Sequence, residues 1–257
     1  MKESGKNYKR IVVKIGSSLF YSDNNNVDFS VFNSVAKQIA DLAKAGREMV
    51  VVSSGAIALG MRALGLRERP KELYLLQAAA AVGQNEVIWN YRNIFDSMGH
   101  HGAQVLLTWD DFNDHKRYLN AKNTLFALLK YGVIPIINEN DTVSTEEIKF
   151  GDNDRLSALV SKLVSADILI ILSDVDGLLD ENKNVIHEVP EITPKIKALT
   201  SSTDKKTSVG GMITKIEAAK IAVDSGVPCV IANGRTPDII LSIIKQPQRQ
   251  GTLFLPK

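Results

Sequence analysis

RIVVKIG, residues 10–16, is a β-branched run with no alternation of apolar and polar residues, and it ends on a lysine and a glycine. A strand reads this way when helices cover both of its faces, because neither face is left to water. The pattern recurs in EMVVVSSG (48–55), AQVLLT (103–108), VIPIIN (133–138), DILIILSD (167–174) and PCVIAN (228–233). Between these runs the period lengthens. DFSVFNSVAKQIADLAKAG (28–46) sets Val31, Val35, Ile39 and Leu42 on one helical face, with Gly46 as its C-cap. Further helices are predicted over 71–98, 116–131, 153–165 and 214–225, and Gly132 and Gly226 each end one just before a strand. Strands alternating with helices predict an α/β protein, a three-layer αβα sandwich around a mostly parallel central sheet.

The chain has 257 residues, enough for one large domain with a full core, and its 44% apolar and 23% charged content is ordinary for a globular protein. A net charge of +2 with scattered basic residues gives no reason to expect nucleic acid. The single cysteine, Cys229, cannot form an internal disulfide and reads as a small buried hydrophobe in a reducing compartment. MKESGKNYKR is polar, with no apolar segment behind it to suggest a leader. The longest apolar stretch, LYLLQAAAAVG, is broken by Gln77 and is too short to span a bilayer. These features predict a cytoplasmic protein that engages no membrane. YSDNNNV is expected to be a flexible loop.

In sheets of this kind ligands bind at the carboxyl ends of the strands. That rule gathers Lys14 to Ser18, Ser53 to Gly55, Asn138 to Asp141 and Ser173 to Gly177 on one rim. VVKIGSS puts Lys14 where burial is costly unless it meets an anion, with a glycine that lets backbone N–H groups approach. It is equally readable as a strand whose lysine ends in solvent. VVVSSGAIALG repeats the design ahead of a helix N-terminus, which favours anions, although an N-cap and tight turn would look the same. SVGGMITKIEAAKIA (208–222) has two glycines and then Lys215 near a helix start, but it is not a Walker A loop. The near-miss between Gly60 and Gly65 reads as helix interior. No strand is followed by G-x-G-x-x-G, no G-x-S-x-G elbow occurs, and none of the four histidines has metal-ligand spacing. Trp89 and Trp109 read as packing residues. INENDTVSTEEIKFGDND (137–154) remains, with acceptor-rich clusters at both of its ends. Two lysines and glycine turns facing carboxylates and asparagines make an inventory suited to phosphoryl transfer.

VVKIGSS, VVSSGAIALG, VIPIINENDTV, GDNDRLSALV, LSDVDGL and GGMITKIEAA occur in the order and spacing of the glutamate 5-kinases. The chain resembles that family of the amino acid kinase superfamily from Ile11 to Leu255. The resemblance implies the amino acid kinase (carbamate kinase-like) fold in a single domain over 1–257; many bacterial members also carry a C-terminal PUA domain, and none is expected here. It implies that Lys14 and Lys215 stabilise the transferring phosphoryl and that Asp154 holds them in place. Ser54, Asp141 and Asn153 would bind glutamate. Lys14, Gly16, Ser173, Asp174 and the loop Val209, Gly210, Gly211, Met212, Ile213, Thr214 and Lys215 would bind ATP, with no protein metal ligand assigned. Ser208-Val209 stands where the family commonly has Gly-Thr.

The implied reaction is ATP-dependent phosphorylation of the γ-carboxylate of L-glutamate, with Mg²⁺, at the head of proline synthesis. Proline is implied as feedback inhibitor, a dimer or tetramer as the assembly, and glutamyl phosphate reductase as a candidate partner. Competing readings are a sister kinase acting on an acetylated amino acid, aspartate, carbamate or a nucleoside monophosphate, and a non-catalytic amino-acid sensor. A sensor would be expected to lose Lys14, Lys215 or Asp154, and all three are present.

Overall fold

The computed structural model describes residues 8–21, 28–144, 153–199 and 211–256. Among these, the strands in chain order are β1 (Arg10–Ile15), β2 (Glu48–Ser53), β3 (Gly102–Leu107), β4 (Ile134–Glu139), β5 (Ile168–Ser173), β6 (Glu188–Val189), β7 (Cys229–Asn233) and β8 (Thr252–Phe254). They form one sheet in the order β3-β4-β2-β1-β5-β7-β8-β6. The helices are α1 (Ser30–Lys44), α2 (Ala56–Ala63), α3 (Leu73–Ser97), α4 (Asp110–Asn113), α5 (His115–Lys130), α6 (Asp154–Leu163), α7 (Pro194–Ala198), α8 (Met212–Asp224) and α9 (Ile239–Lys245).

The six predicted strands and five predicted helices all form, with boundaries moved by a few residues. β1 lies at the centre, parallel to β2 on one side and β5 on the other. The antiparallel edge went unforeseen. β8 runs against β7, and β6 pairs with β8. Two- and three-residue strands are too short to show a period.

Side chains alternate across a strand, and that parity decides what each face meets. Ile11, Val13 and Ile15 share a buried cluster with Val51, Ile170 and Leu172, capped by residues of α1, α3 and α9. Val12 lies in the opposite cluster with Val50, Val52, Leu169 and Ile171, beneath α5, α6 and α8. Lys14 has the parity of Val12, so it emerges on the α6–α8 side. Each buried aliphatic side chain is worth about 1.5–3 kcal/mol. The layers are therefore held by hydrophobic burial, and the rim is where polar groups enter.

α2 lies unusually close to α3. A Cβ on Gly83 would come within 1.9 Å of the Ala56 carbonyl oxygen, and one on Gly60 within 1.7 Å of the Ala79 carbonyl oxygen. The two helices meet backbone to backbone. The expected helix interior from Gly60 to Gly65 is only half right, since α2 stops at Ala63 and Gly65 lies beyond it with φ 69°.

Trp89 is not a packing residue within this chain. It is 64% exposed on the outer face of α3, together with Leu75 and Val82. Trp109 does pack, with the Arg155 guanidinium 4.7 Å from its ring centre. Of YSDNNNV (21–27), expected as a flexible loop, residues 22–27 lie outside the described residues, and Tyr21 is half-buried. No helix among the described residues is long and apolar enough to cross a membrane.

Gly83→Ala should force α2 and α3 apart. We expect a loss of about 1–3 kcal/mol of stability, typical of overpacking, measured by urea denaturation against the parent protein.

Candidate active site

The parallel strands β1, β2, β4 and β5 deliver their carboxyl ends to one rim, where α6 and α8 begin. Lys14, next to last in β1, puts its Nζ 2.6 Å from Asp154 Oδ1. Lys215, in the first turns of α8, puts its Nζ 3.0 Å from Asp154 Oδ2. Thr214 Oγ1 lies 3.1 Å from the same Oδ2 and 2.9 Å from the Gly211 carbonyl oxygen, and its single hydrogen can serve either. Asp154 is fully buried, and both lysines are nearly so.

Asp154 opens α6, where a carboxylate is favoured by the positive end of the helix dipole. The three charges sum to +1, and the N-termini of α6 and α8 add partial positive charge. An anion belongs beside them.

Beside the triad is a cleft of about 470 Å³, lined by Ser17, Ser54, Ala56, Asn138, Glu139, Asp141, Asn153 and Arg69 among others. All three residues assigned to substrate, Ser54, Asp141 and Asn153, share it. Gly55, with φ 96°, makes the turn that only glycine adopts readily, and α2 starts directly after it. The first N–H groups of a helix have no partner within it, and Ala56 and Ile57, which open α2, line the cleft. Ser54 Oγ is buried and makes no hydrogen bond among the described residues. A buried hydroxyl left so is costly, by about 1–3 kcal/mol, unless a ligand or water meets it.

The asparagines are tied into the scaffold. Asn153 Nδ2 donates to both the Ser53 carbonyl and Asn138 Oδ1. Asn138 Nδ2 donates to Gln84 Oε1 at 2.7 Å, and Ser144 Oγ donates to Glu139 Oε1 at 2.6 Å. Beneath them the Tyr91 hydroxyl donates to Ser53 Oγ at 3.2 Å. Burial pushes the Tyr91 phenol well above its usual range, with the Ser53 contact a smaller opposing effect, so it stays neutral. Burial also pushes the Cys229 thiol up, and the charge of Asp154 adds to this, so Cys229 behaves as the inert core residue expected.

Gly16 has a packing role at the rim. Its own N–H is committed to the Leu172 carbonyl at 3.0 Å, and a Cβ there would lie 3.1 Å from that oxygen. The glycine supplies room for β1 to lie against β5 at the rim, not an anion-binding amide of its own. Ser173 ends β5, and its Oγ donates to Asp174 Oδ1 at 3.0 Å. Gly211, Met212, Ile213, Thr214 and Lys215 start α8, with Gly211 and Ile213 exposed beside the rim. Val209 and Gly210 lie outside the described residues, as do residues 145–152 of the segment between the two acidic clusters.

Sequence reading missed Arg69 and Gln84. Arg69 lies in a polar connection with no motif around it, and only the fold brings it to the cleft. Gln84 is one polar residue in a long helix, and nothing local marks its partner 54 positions away.

A mostly parallel sheet with a cationic lysine–aspartate–lysine rim marks a class of α/β proteins suited to holding an anion at the strand ends. The chain belongs to the amino acid kinase family, which it matches over residues 9–233. It is 48% identical over 253 residues to glutamate 5-kinase of Caldanaerobacter subterraneus subsp. tengcongensis, covering 96% of this chain and 68% of that protein. It is 45% identical over 257 residues to glutamate 5-kinase of Clostridium acetobutylicum, covering 98% of this chain and 96% of that protein. The fold is shared with N-acetylglutamate synthase from Neisseria gonorrhoeae, solved with coenzyme A and L-arginine. The TM-score is 0.66 at 15% identity, over 97% of this chain and 62% of that one.

Proposed function

We propose that this chain transfers the γ-phosphoryl group of ATP to the γ-carboxylate of L-glutamate, giving L-glutamyl 5-phosphate for proline synthesis. One observation carries the reading: the buried Lys14–Asp154–Lys215 triad opens beside a cleft lined by Ser54, Asp141 and Asn153. The γ-carboxylate, with a reference pKa of about 4.3, is ionised at neutral pH and needs no general base. A carboxylate oxygen bonds to the γ-phosphorus as the bond to the ADP oxygen breaks, and no proton moves.

The obstacle is bringing one anion to another. A like-charge pair at 4 Å costs about 4 kcal/mol at an effective dielectric of 20. Lys14, Lys215 and the α8 N-terminus oppose that repulsion and follow the charge as it develops. Asp154 sets where the two ammonium groups sit. Ser173, Asp174 and Thr214 border the nucleotide side.

At the other end, Asp141 meets the substrate ammonium, and Arg69 with the start of α2 meets the α-carboxylate. Among the described residues no cluster of three carboxylate, imidazole or thiol groups could cage a metal, and Asp154 already bridges two lysines. Mg²⁺ commonly binds through substrate phosphates and water, so it fits this site carried on ATP, where it would offset phosphate charge. Proline shares the α-carboxylate and a cationic nitrogen with glutamate and can compete at the Asp141 end. The product acyl phosphate is labile in water, which favours glutamyl phosphate reductase as the protein that consumes it. ATP and glutamate as substrates favour a cytoplasmic activity.

Leu75, Ala78, Val82 and Trp89 share the outer face of α3. An apolar stripe of this kind suits a second copy of the chain, so we assign the protein a homo-oligomer of two or four copies.

Incubation with ATP, Mg²⁺ and hydroxylamine should yield a hydroxamate with glutamate. Aspartate and N-acetylglutamate should give little, and hydroxamate from N-acetylglutamate alone would move the chain to a sister activity. Asp154→Ala, shown folded by circular dichroism, should lower kcat by about 10²- to 10³-fold and leave the glutamate KM nearly unchanged. Asp141→Ala should chiefly raise that KM, since its contact is present in ground and transition states alike. Light scattering at micromolar concentration should show an oligomer that Trp89→Glu dissociates; a fully active monomer would sink the assembly.

A further inference from the structure

Resting on the glutamate-kinase reading of the cleft, we infer that Gln84 is a positioning residue. It fixes which way the asparagines of the substrate site face. Gln84 Nε2 donates to Gln104 Oε1 at 3.2 Å, which turns its own Oε1 inward. That oxygen accepts from Asn138 Nδ2 at 2.7 Å. With its amide nitrogen so held, Asn138 presents Oδ1 to the other side, where it accepts from the Glu139 N–H at 2.9 Å and from Asn153 Nδ2. Asn153 Nδ2 donates also to the Ser53 carbonyl, which occupies both of its hydrogens.

A directional chain results, in which every carboxamide is told its orientation by the one before it. The two ends of a carboxamide are nearly equal in size, so packing alone cannot choose between them. Hydrogen-bond partners can. The last link leaves Asn153 with its oxygen, and not its nitrogen, as the atom available to a ligand in the cleft. That oxygen calls for a donor. In glutamate at neutral pH the donor is the α-ammonium, which Asp141 also attracts.

If Asn138 turned over, its nitrogen would face the Glu139 N–H and Asn153 Nδ2, donor against donor. The Glu139 N–H opposes this from one side and the Gln84 carbonyl oxygen, which would lose its donor, from the other. Gln84 touches neither lysine of the triad, so its influence falls on glutamate binding and not on the transferring phosphoryl.

The test compares Gln84→Met and Gln84→Glu with the parent in steady-state kinetics, with glutamate binding measured by calorimetry. Gln84 is only partly buried, so both variants should fold, and thermal unfolding checks this. Gln84→Met should raise the glutamate KM and Kd by about tenfold, the scale of one buried donor losing its acceptor. The ATP KM and kcat should stay within about twofold of the parent. Gln84→Glu keeps an acceptor for Asn138 and should restore most of the affinity, with exposed Gln104 turning its amide to donate. In an Asn138→Ala background, Gln84→Met should add nothing further, because the two act through one contact.

A parental glutamate KM in Gln84→Met would overturn the inference. So would an equal loss in Gln84→Glu, or a parallel rise in the ATP KM. A parent protein that makes no acyl phosphate from glutamate would instead overturn the kinase reading beneath it.

Discussion

A carboxylate with no exposure to water, Asp154, is clamped between two ammonium groups that are themselves almost wholly buried. Each ion removed from water carries a penalty of several kcal/mol, and well-packed apolar residues would often be as stable or more so. The triad is therefore poor glue. What it supplies is position. Asp154 joins the end of β1, the start of α6 and the first turns of α8 at one point, so both lysine heads sit where those three elements converge. The charge left over is positive, and two helix N-termini reinforce it. The structure carries the cost of burial in order to hold a cationic place ready before its anion arrives.

The placement follows from strand parity. Along β1, Val12 and Lys14 face α6 and α8, whereas Val13 and Ile15 face α1, α3 and α9. Along β2 the same rule sends the Ser53 hydroxyl to Tyr91 on α3. Along β4 it sends Asn138 to Gln84 on the same helix. The rim is thus divided. The lysine–aspartate triad is built on one face of the sheet, and much of the framework behind the neighbouring cleft is built on the other. A substrate lying across the strand ends reaches both, which suits a molecule with an anionic head at one end and an amino-acid group at the other.

Much of this was legible in sequence, for definable reasons. Continuous apolar runs ending in Lys14-Ile15-Gly16 and Ser53-Ser54-Gly55 specify strands covered by helices on both faces and give the direction of the rim. The lysine–aspartate contacts rest on resemblance, since nothing local links Lys14 to Asp154 across 140 positions or to Lys215 across 201. The antiparallel edge at β8 was not legible, because three residues show no period. Trp89 was misjudged because a tryptophan in an amphipathic helix looks the same whether it faces its own core or outward. Gln84 and Arg69 were invisible for a related reason: a single polar residue gains meaning only when the fold supplies its neighbour.

The helix α3 ties these separate features together. A helix turns about 100° per residue, so Val82, Gly83 and Gln84 look in three directions from adjacent positions. Val82 belongs to the outer apolar stripe, Gly83 admits the backbone of α2, and Gln84 reaches Asn138. α2 begins at the cleft wall, and Asn138 orients Asn153 inside it. One turn of one helix therefore sets both the position of the α2 amides and the polarity of the carboxamides at the amino-acid end. A small rotation of α3 could not move one without the other. Val82, one residue of the outer stripe, lies on that same turn, next in sequence to the glycine that admits α2 and one further from the glutamine that reaches Asn138.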